Sequence, residues 1–224
     1  VEFNLLINAL LRSALLIAFG ISAQAANAQF FGNHGSGTEA SLFSGAYAGL
    51  ELGYASASGT TEYPVLAGGT VRSRFEPGNG RGFGGFVGYN IRKNDLVYGA
   101  EIRYVNLVRL ADRDPATPED REVMEYADLR FRLGYVRGKV LFYGAAGWSW
   151  AKFRVHPGSV FTPRPNQTNL FGPSVGLGME YNLSERWLFG ADYTIRKLNG
   201  KFGEAASETD LDVGSLTFRV AYRF

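Results

Sequence analysis

Few residues in this 224-residue chain have side chains suited to chemistry. Cysteine is absent, so there is no thiol nucleophile, no thiolate metal site and no disulfide framework. Histidine occurs twice, at His34 and His156. An activated nucleophile needs a base within hydrogen-bond reach, and neither histidine belongs to a patterned segment. His34 falls in a polar, Gly-rich stretch. His156 is followed by Pro157, Gly158 and Ser159, a loop composition. It reads either as a solvated loop side chain or as a haem ligand, with Phe153 and Phe161 nearby in sequence. Gly82, Gly84, Gly85 and Gly88 are followed by no Lys-Ser/Thr pair and no helical pattern, so they do not form a phosphate loop. The inventory implies no metal and no resident cofactor.

What remains is a set of acids and arginines interleaved with apolar residues. The acids are Glu51, Glu101, Glu180 and Asp192. The arginines are Arg103, Arg130, Arg132, Arg196 and Arg219. A carboxylate beside a guanidinium stays ionised and paired, which works against general acid–base catalysis. Charges of this kind tolerate burial only as hydrogen-bonded pairs. The expectation is a lumenal charge network rather than a catalytic centre, and no enzyme activity is expected.

Eight alternating segments must position these charges. They are Ser44–Ser56, Gly82–Ile91, Leu96–Val105, Tyr126–Val136, Val140–Lys152, Leu170–Tyr181, Arg186–Arg196 and Val213–Phe224. Period-2 alternation is the mark of a strand with two unlike faces. In the last segment Leu216, Phe218, Val220, Tyr222 and Phe224 share one face, and Arg219 lies on the other. In the fifth, Phe142, Ala146, Trp148 and Trp150 are placed outside, with Tyr143, Ala145, Gly147 and Ser149 inside. Pro173 removes a ladder donor, so it is expected near the loop end of its strand. The connections alternate in length. Residues 56–81, 106–122, 153–168 and 197–212 read as long loops; residues 92–95, 137–139 and 182–185 read as tight turns.

Each strand runs about ten residues, the length that crosses a bilayer when tilted. Short turns at one end and long loops at the other are the pattern of transmembrane barrels. A sheet in lipid must close to satisfy its backbone. These features predict an all-β fold, a closed eight-stranded antiparallel up-and-down transmembrane β-barrel. Its apolar faces point to lipid, and its charges point into a lumen only wide enough for side chains to fill. The alternative is a soluble lipocalin-type barrel with the faces reversed. That fold does not need the long–short alternation and usually carries a disulfide.

The N-terminus has the organisation of a secretory signal. Arg12 precedes a short apolar core, Ala14 to Ile21, and two small-x-small sites follow at Ala23–Ala25 and Ala26–Ala28. Residues 1–28 are expected to be a signal peptide cleaved after Ala28. Residues 29–43 are expected to be a flexible lead-in, and 44–224 the barrel. The formal net charge of +2 gives no field for nucleic acid.

Several segments together resemble the small OmpA-like and opacity-type outer-membrane barrels. They are YAGLELGY (47–54), FGGFVGYN (83–90), VYGAEIRY (97–104), LRFRLGYV (129–136), SVGLGMEY (174–181) and FRVAYRF (218–224). The resemblance spans the mature chain. It implies a bacterial outer-membrane location and contact with outer-membrane lipid and lipopolysaccharide. It implies that Phe218, Val220, Tyr222 and Phe224 form the C-terminal signal read by the outer-membrane insertion machinery. It also implies a role in envelope integrity and in surface contact with an unknown ligand. Haem or small-solute binding, or low conductance, is the alternative function that the resemblance leaves open.

Overall fold

The computed structural model describes residues 42–64, 69–108, 120–156, 167–202 and 207–224. The expected signal peptide, His34 and almost all of the expected lead-in lie outside the described residues. Eight strands follow in order: β1 (Gly45–Pro64), β2 (Thr70–Lys93), β3 (Leu96–Val108), β4 (Asp120–Arg137), β5 (Val140–His156), β6 (Gln167–Asn182), β7 (Trp187–Phe202) and β8 (Ser207–Arg223). Each is antiparallel to the next, and β8 pairs with β1 to close the barrel.

Inside and outside follow the period of two. Leu50, Leu52, Phe83, Tyr98, Phe131, Leu177 and Phe218 point outward and are exposed, whereas Glu51, Glu101, Arg130, Glu180 and Arg219 are buried within. At two places a cross-strand tyrosine covers a lumenal glycine. Tyr47 lies opposite Gly88 and Tyr143 opposite Gly178. A Cβ at either glycine would run into the tyrosine ring, so the glycine is what lets each ring cross the lumen.

Four details differ from the expectation. The first concerns the long connections. β1 runs 20 residues and β2 runs 24, where about 9–11 cross a bilayer. Much of what reads as loop between 56 and 81 is ladder, with Thr60 opposite Arg74 and Glu62 opposite Arg72. Bulges at Ala57/Gly59 and Val123/Glu125 re-aim the strands as they continue. The second is Trp150. By register it is an outward position, opposite Ala127 and Phe171. Yet its side chain is only 9% exposed, against 58% for Trp148, and its indole nitrogen has no partner among the described residues. The third is Pro173, which sits within β6 opposite Trp148 rather than at its end. The β6–β7 ladder has no pair at Gly172 or Pro173, which accommodates the missing N–H. The fourth is Phe43. Placed in the lead-in by sequence, it is buried in the end of the barrel that carries the tight turns. Arg92 donates to the carbonyl of its neighbour Leu42 at 3.3 Å.

Candidate functional site

The middle of the lumen holds five arginines and five carboxylates, all buried. Alternation along β1, β3, β4, β6, β7 and β8 aims them at one another. Glu101 on β3 is the hub on the acidic side. It accepts from Arg130 Nε at 2.9 Å and Nη2 at 2.7 Å, and from Arg132 Nη1 at 3.2 Å. It also accepts from Arg219 and, at 2.9 Å, from the Tyr47 hydroxyl. Arg103 is the hub on the basic side. Its guanidinium meets Glu51 at 3.1 Å, Asp128 at 3.2 Å and Asp192 at 2.9 Å.

The remaining groups link the two hubs. Asp192 accepts from Arg103 and, at 3.0 Å, from Arg130. Tyr143 and Thr194 also donate to it, at 2.8 and 2.6 Å. Glu180 accepts from Arg132 at 2.6 Å. Arg196 grips Asp128 through two parallel bonds of 2.8 and 2.6 Å, the bidentate geometry that a guanidinium fork supplies. Aromatic faces cover several cations. Arg132 lies 3.8 Å from the Tyr143 ring centre, Arg196 3.9 Å from Tyr126, and Arg219 3.8 Å from Phe86.

All nine charged residues singled out from sequence lie in this cluster. Arg219 is directly opposite Glu51 in the β1–β8 register but donates to Glu101 and Tyr143. Glu51 makes only the Arg103 ion pair, and neither of its oxygens has a hydrogen bond among the described residues. Asp128 is the fifth carboxylate, beyond the four acids expected from sequence. It lies two residues before Arg130 and therefore on the same face, so its parity was available. The hydroxyls of Tyr47, Tyr143, Ser149, Thr194 and Ser215 are also part of the network. Alternation places such groups inward but does not single them out.

An apolar layer lies on each side of the charges. Toward the tight turns, Phe43, Tyr47, Phe86, Leu141, Tyr143 and Leu188 pack together. Toward the other end, Phe75, Val105, Val123, Phe153, Leu170 and Leu211 do the same. His156 ends β5 opposite Asp120, beyond this second layer. Phe153 belongs to the layer and packs against Phe75 in a tilted contact, with ring centres 5.6 Å apart. On the outside, Phe218, Val220, Tyr222 and Phe224 follow one another at alternate positions. Tyr222 is 5.4 Å from both the Trp187 and the Phe224 ring centres. No group of histidine, aspartate and glutamate suited to a metal ion occurs among the described residues.

A closed sheet that is apolar outside and charged within fits a lipid surround. The model of the outer membrane protein beta-barrel domain family matches residues 13–224. The chain belongs to this family. It is an outer-membrane β-barrel protein, its outward apolar band faces lipid, and its strands are transmembrane. The short turns mark the periplasmic end and the extended strands the extracellular end. Similar solved structures include the attachment invasion locus protein Ail of Yersinia pestis, with 16% identity over 81% of this chain and 100% of that one (TM-score 0.46). The Neisserial surface protein NspA has 16% identity over 78% and 97% of the two chains (TM-score 0.43). OprG of Pseudomonas aeruginosa has 14% identity over 82% and 97% (TM-score 0.46). No curated protein matches the chain.

Proposed function

We propose that this outer-membrane barrel is a non-catalytic structural and surface-contact protein of the opacity-type group. Its membrane section is a sealed anchor that supports envelope integrity, and its extracellular strand extensions carry the contact surface. The observation behind this reading is the three-layer lumen: an apolar layer, a paired charge network and a second apolar layer. A lumen filled in this way disfavours solute passage. Every carboxylate in it already faces at least one guanidinium, which disfavours acid–base catalysis.

The haem reading at His156 is weakened by Phe153. That ring is packed against Phe75 and is not free to cover a porphyrin. Outer-membrane lipid and lipopolysaccharide are the partners of the outward band, and an unknown ligand is the partner of the extracellular surface. Phe218, Val220, Tyr222 and Phe224 serve as the signal for the insertion machinery, and residues 1–28 as the export signal.

A deletion strain complemented with full-length or shortened protein tests this reading. The shortened form has its four extracellular hairpins cut near the Ser56–Asn79 level. Heat-dependent gel mobility reports its folding. The folded, shortened barrel is expected to restore envelope integrity and to lose surface contact. Full-length protein in planar bilayers is expected to carry no sustained current. Discrete conductance steps would replace this reading with a solute-conducting one, and altered lipid A in the deletion strain would replace it with an enzymatic one.

A further inference from the structure

The two ends of the barrel handle surface charge differently. On the extracellular extension, charges meet opposite charges across the strands. Lys197 lies opposite Asp212 and Lys201 opposite Glu208, Arg72 donates to Glu62, and Lys152 is 3.8 Å from Glu125. The periplasmic rim has no such balance. Among the described residues, its turns and strand ends carry Arg92, Lys93, Arg137, Lys139, Arg186 and Arg223 against only Asp95 and Glu185. Arg92 is committed to Leu42 and the β2–β3 turn. Lys93, Arg137, Lys139 and Arg186 are exposed, and none of them has an ion-pair partner among the described residues.

The rim is also held in shape. Val136 donates to the Asp95 carbonyl at 2.7 Å, Asn182 to Lys139 at 2.8 Å and Arg223 to Arg186 at 2.8 Å. Each periplasmic turn is thereby tied to the neighbouring hairpin or to β8, and the cations sit on a braced ring. Asn94 and Gly138, both left-handed with φ of 57° and 60°, make the first two turns tight.

The depth of the ring comes from Arg186. Its Nη1 donates to the Tyr222 hydroxyl at 2.8 Å, and Tyr222 packs edge-on against Trp187 and Phe224. Such aromatics sit at headgroup level. A guanidinium bonded to their hydroxyl lies in the same plane, where it meets phosphate oxygens. Arg223 stands beside it, donating to the Glu185 carbonyl.

We propose that the periplasmic rim is a docking surface for anionic phospholipid headgroups. Arg186 serves one sector of the ring, and Lys93, Arg137 and Lys139 serve the other. Its excess of positive charge complements the headgroup, and through Arg186 it is continuous with the lipid-facing aromatic belt. That continuity favours lipid over the anionic glycan of the cell wall, which would approach from the periplasm without touching the belt. The proposal rests on the outer-membrane placement, not on the surface-contact role.

The test uses the full-length protein in nanodiscs of phosphatidylcholine with a minor fraction of phosphatidylglycerol. Native mass spectrometry then reads the lipids that stay bound. Phosphatidylglycerol is expected to be enriched several-fold over its bulk share. The enrichment should fall to parity in the combined Lys93→Gln, Arg137→Gln, Lys139→Gln and Arg186→Gln variant. It should persist in the charge-preserving Lys/Arg exchange at the same four positions and in extracellular Lys197→Gln. Gel mobility checks folding, and the Lys93→Gln, Arg137→Gln pair carries the test if the fourfold variant fails to fold. Parity in the wild type overturns the proposal, as does enrichment unchanged by the glutamines. Binding to isolated cell-wall sacculi that the glutamines abolish, with lipid enrichment unaffected, assigns the rim to the glycan instead and also overturns it.

Discussion

The membrane section and the extracellular extension are built by the same eight strands with opposite polarity. On β8, Arg219, Thr217 and Ser215 face inward at membrane level while Phe218 and Leu216 face outward. A few residues on, Val213 and Leu211 face inward while Asp212 and Asp210 face outward. β7 repeats the change, from Asp192, Thr194 and Arg196 inside to Leu198, and from Tyr193 and Ile195 outside to Lys197. β5 passes from Ser149 to Ala151 and Phe153 within. Below the boundary lipid solvates the exterior, and the paired charges fill the middle of the interior above the apolar layer at the tight turns. Above it, water surrounds the strands and the hydrophobic effect fills the same tube with an ordinary apolar core. Apart from the bulges at Ala57/Gly59 and Val123/Glu125, the same ladder runs through both regions, and the solvent is what differs.

Substitutions on the two sides of the boundary should therefore fail in different ways. The largest effect is expected within the charge network. Glu101→Ala leaves Arg130, Arg132 and Arg219 without their shared acceptor. It should cost about 3–5 kcal/mol in urea unfolding from lipid vesicles, the usual penalty for an orphaned buried charge. Glu51→Gln should cost less than Glu101→Gln, because Glu51 has one ion pair and no hydrogen bond to lose. Equal costs would mean that the network is not organised around Glu101.

In the extension the loss is a cavity rather than a charge. Leu211→Ala should destabilise by about 2–5 kcal/mol. High salt should leave that penalty unchanged. A null effect would show that the upper layer is not a packed core.

The smallest effects separate lipid from water on the outer surface. Leu177→Arg, at the middle of the outward band of β6 and 72% exposed, should cost about 2–4 kcal/mol. Lys197→Leu, outward on the extension, should stay within about 0.5 kcal/mol. Equal penalties at the two sites would place them in the same solvent.

The polarity change also explains what the sequence showed and what it hid. Within the bilayer the alternation is clean, so strand order, inner and outer faces and the pairing of β8 with β1 were all legible. Beyond it the apolar phase slips, from the even positions Leu216 and Phe218 to the odd positions Leu211 and Val213. A phase slip looks like the end of a strand, and Gly, Ser and charged residues on the new outer face reinforce that impression. The strands in fact continue. The charged residues were legible because arginine and glutamate stand out on an apolar strand. Asp128 was obscured because Ala127 and Tyr126 beside it mark no clear face. Phe43 carried no signal at all, since one aromatic outside any repeat cannot be told from a loop residue.

The absence of cysteine allows the boundary to be mapped directly. Single cysteines at positions 210 to 218 of β8 can be challenged with a membrane-impermeant maleimide on intact cells. The expected result is rapid labelling at 210 and 212 and protection at 211, 213, 216 and 218. Labelling at 211 and 213 as fast as at their neighbours would show a water-filled extension. Labelling at 216 and 218 would place the lipid boundary elsewhere. Either result would contradict the change of polarity at Gly214.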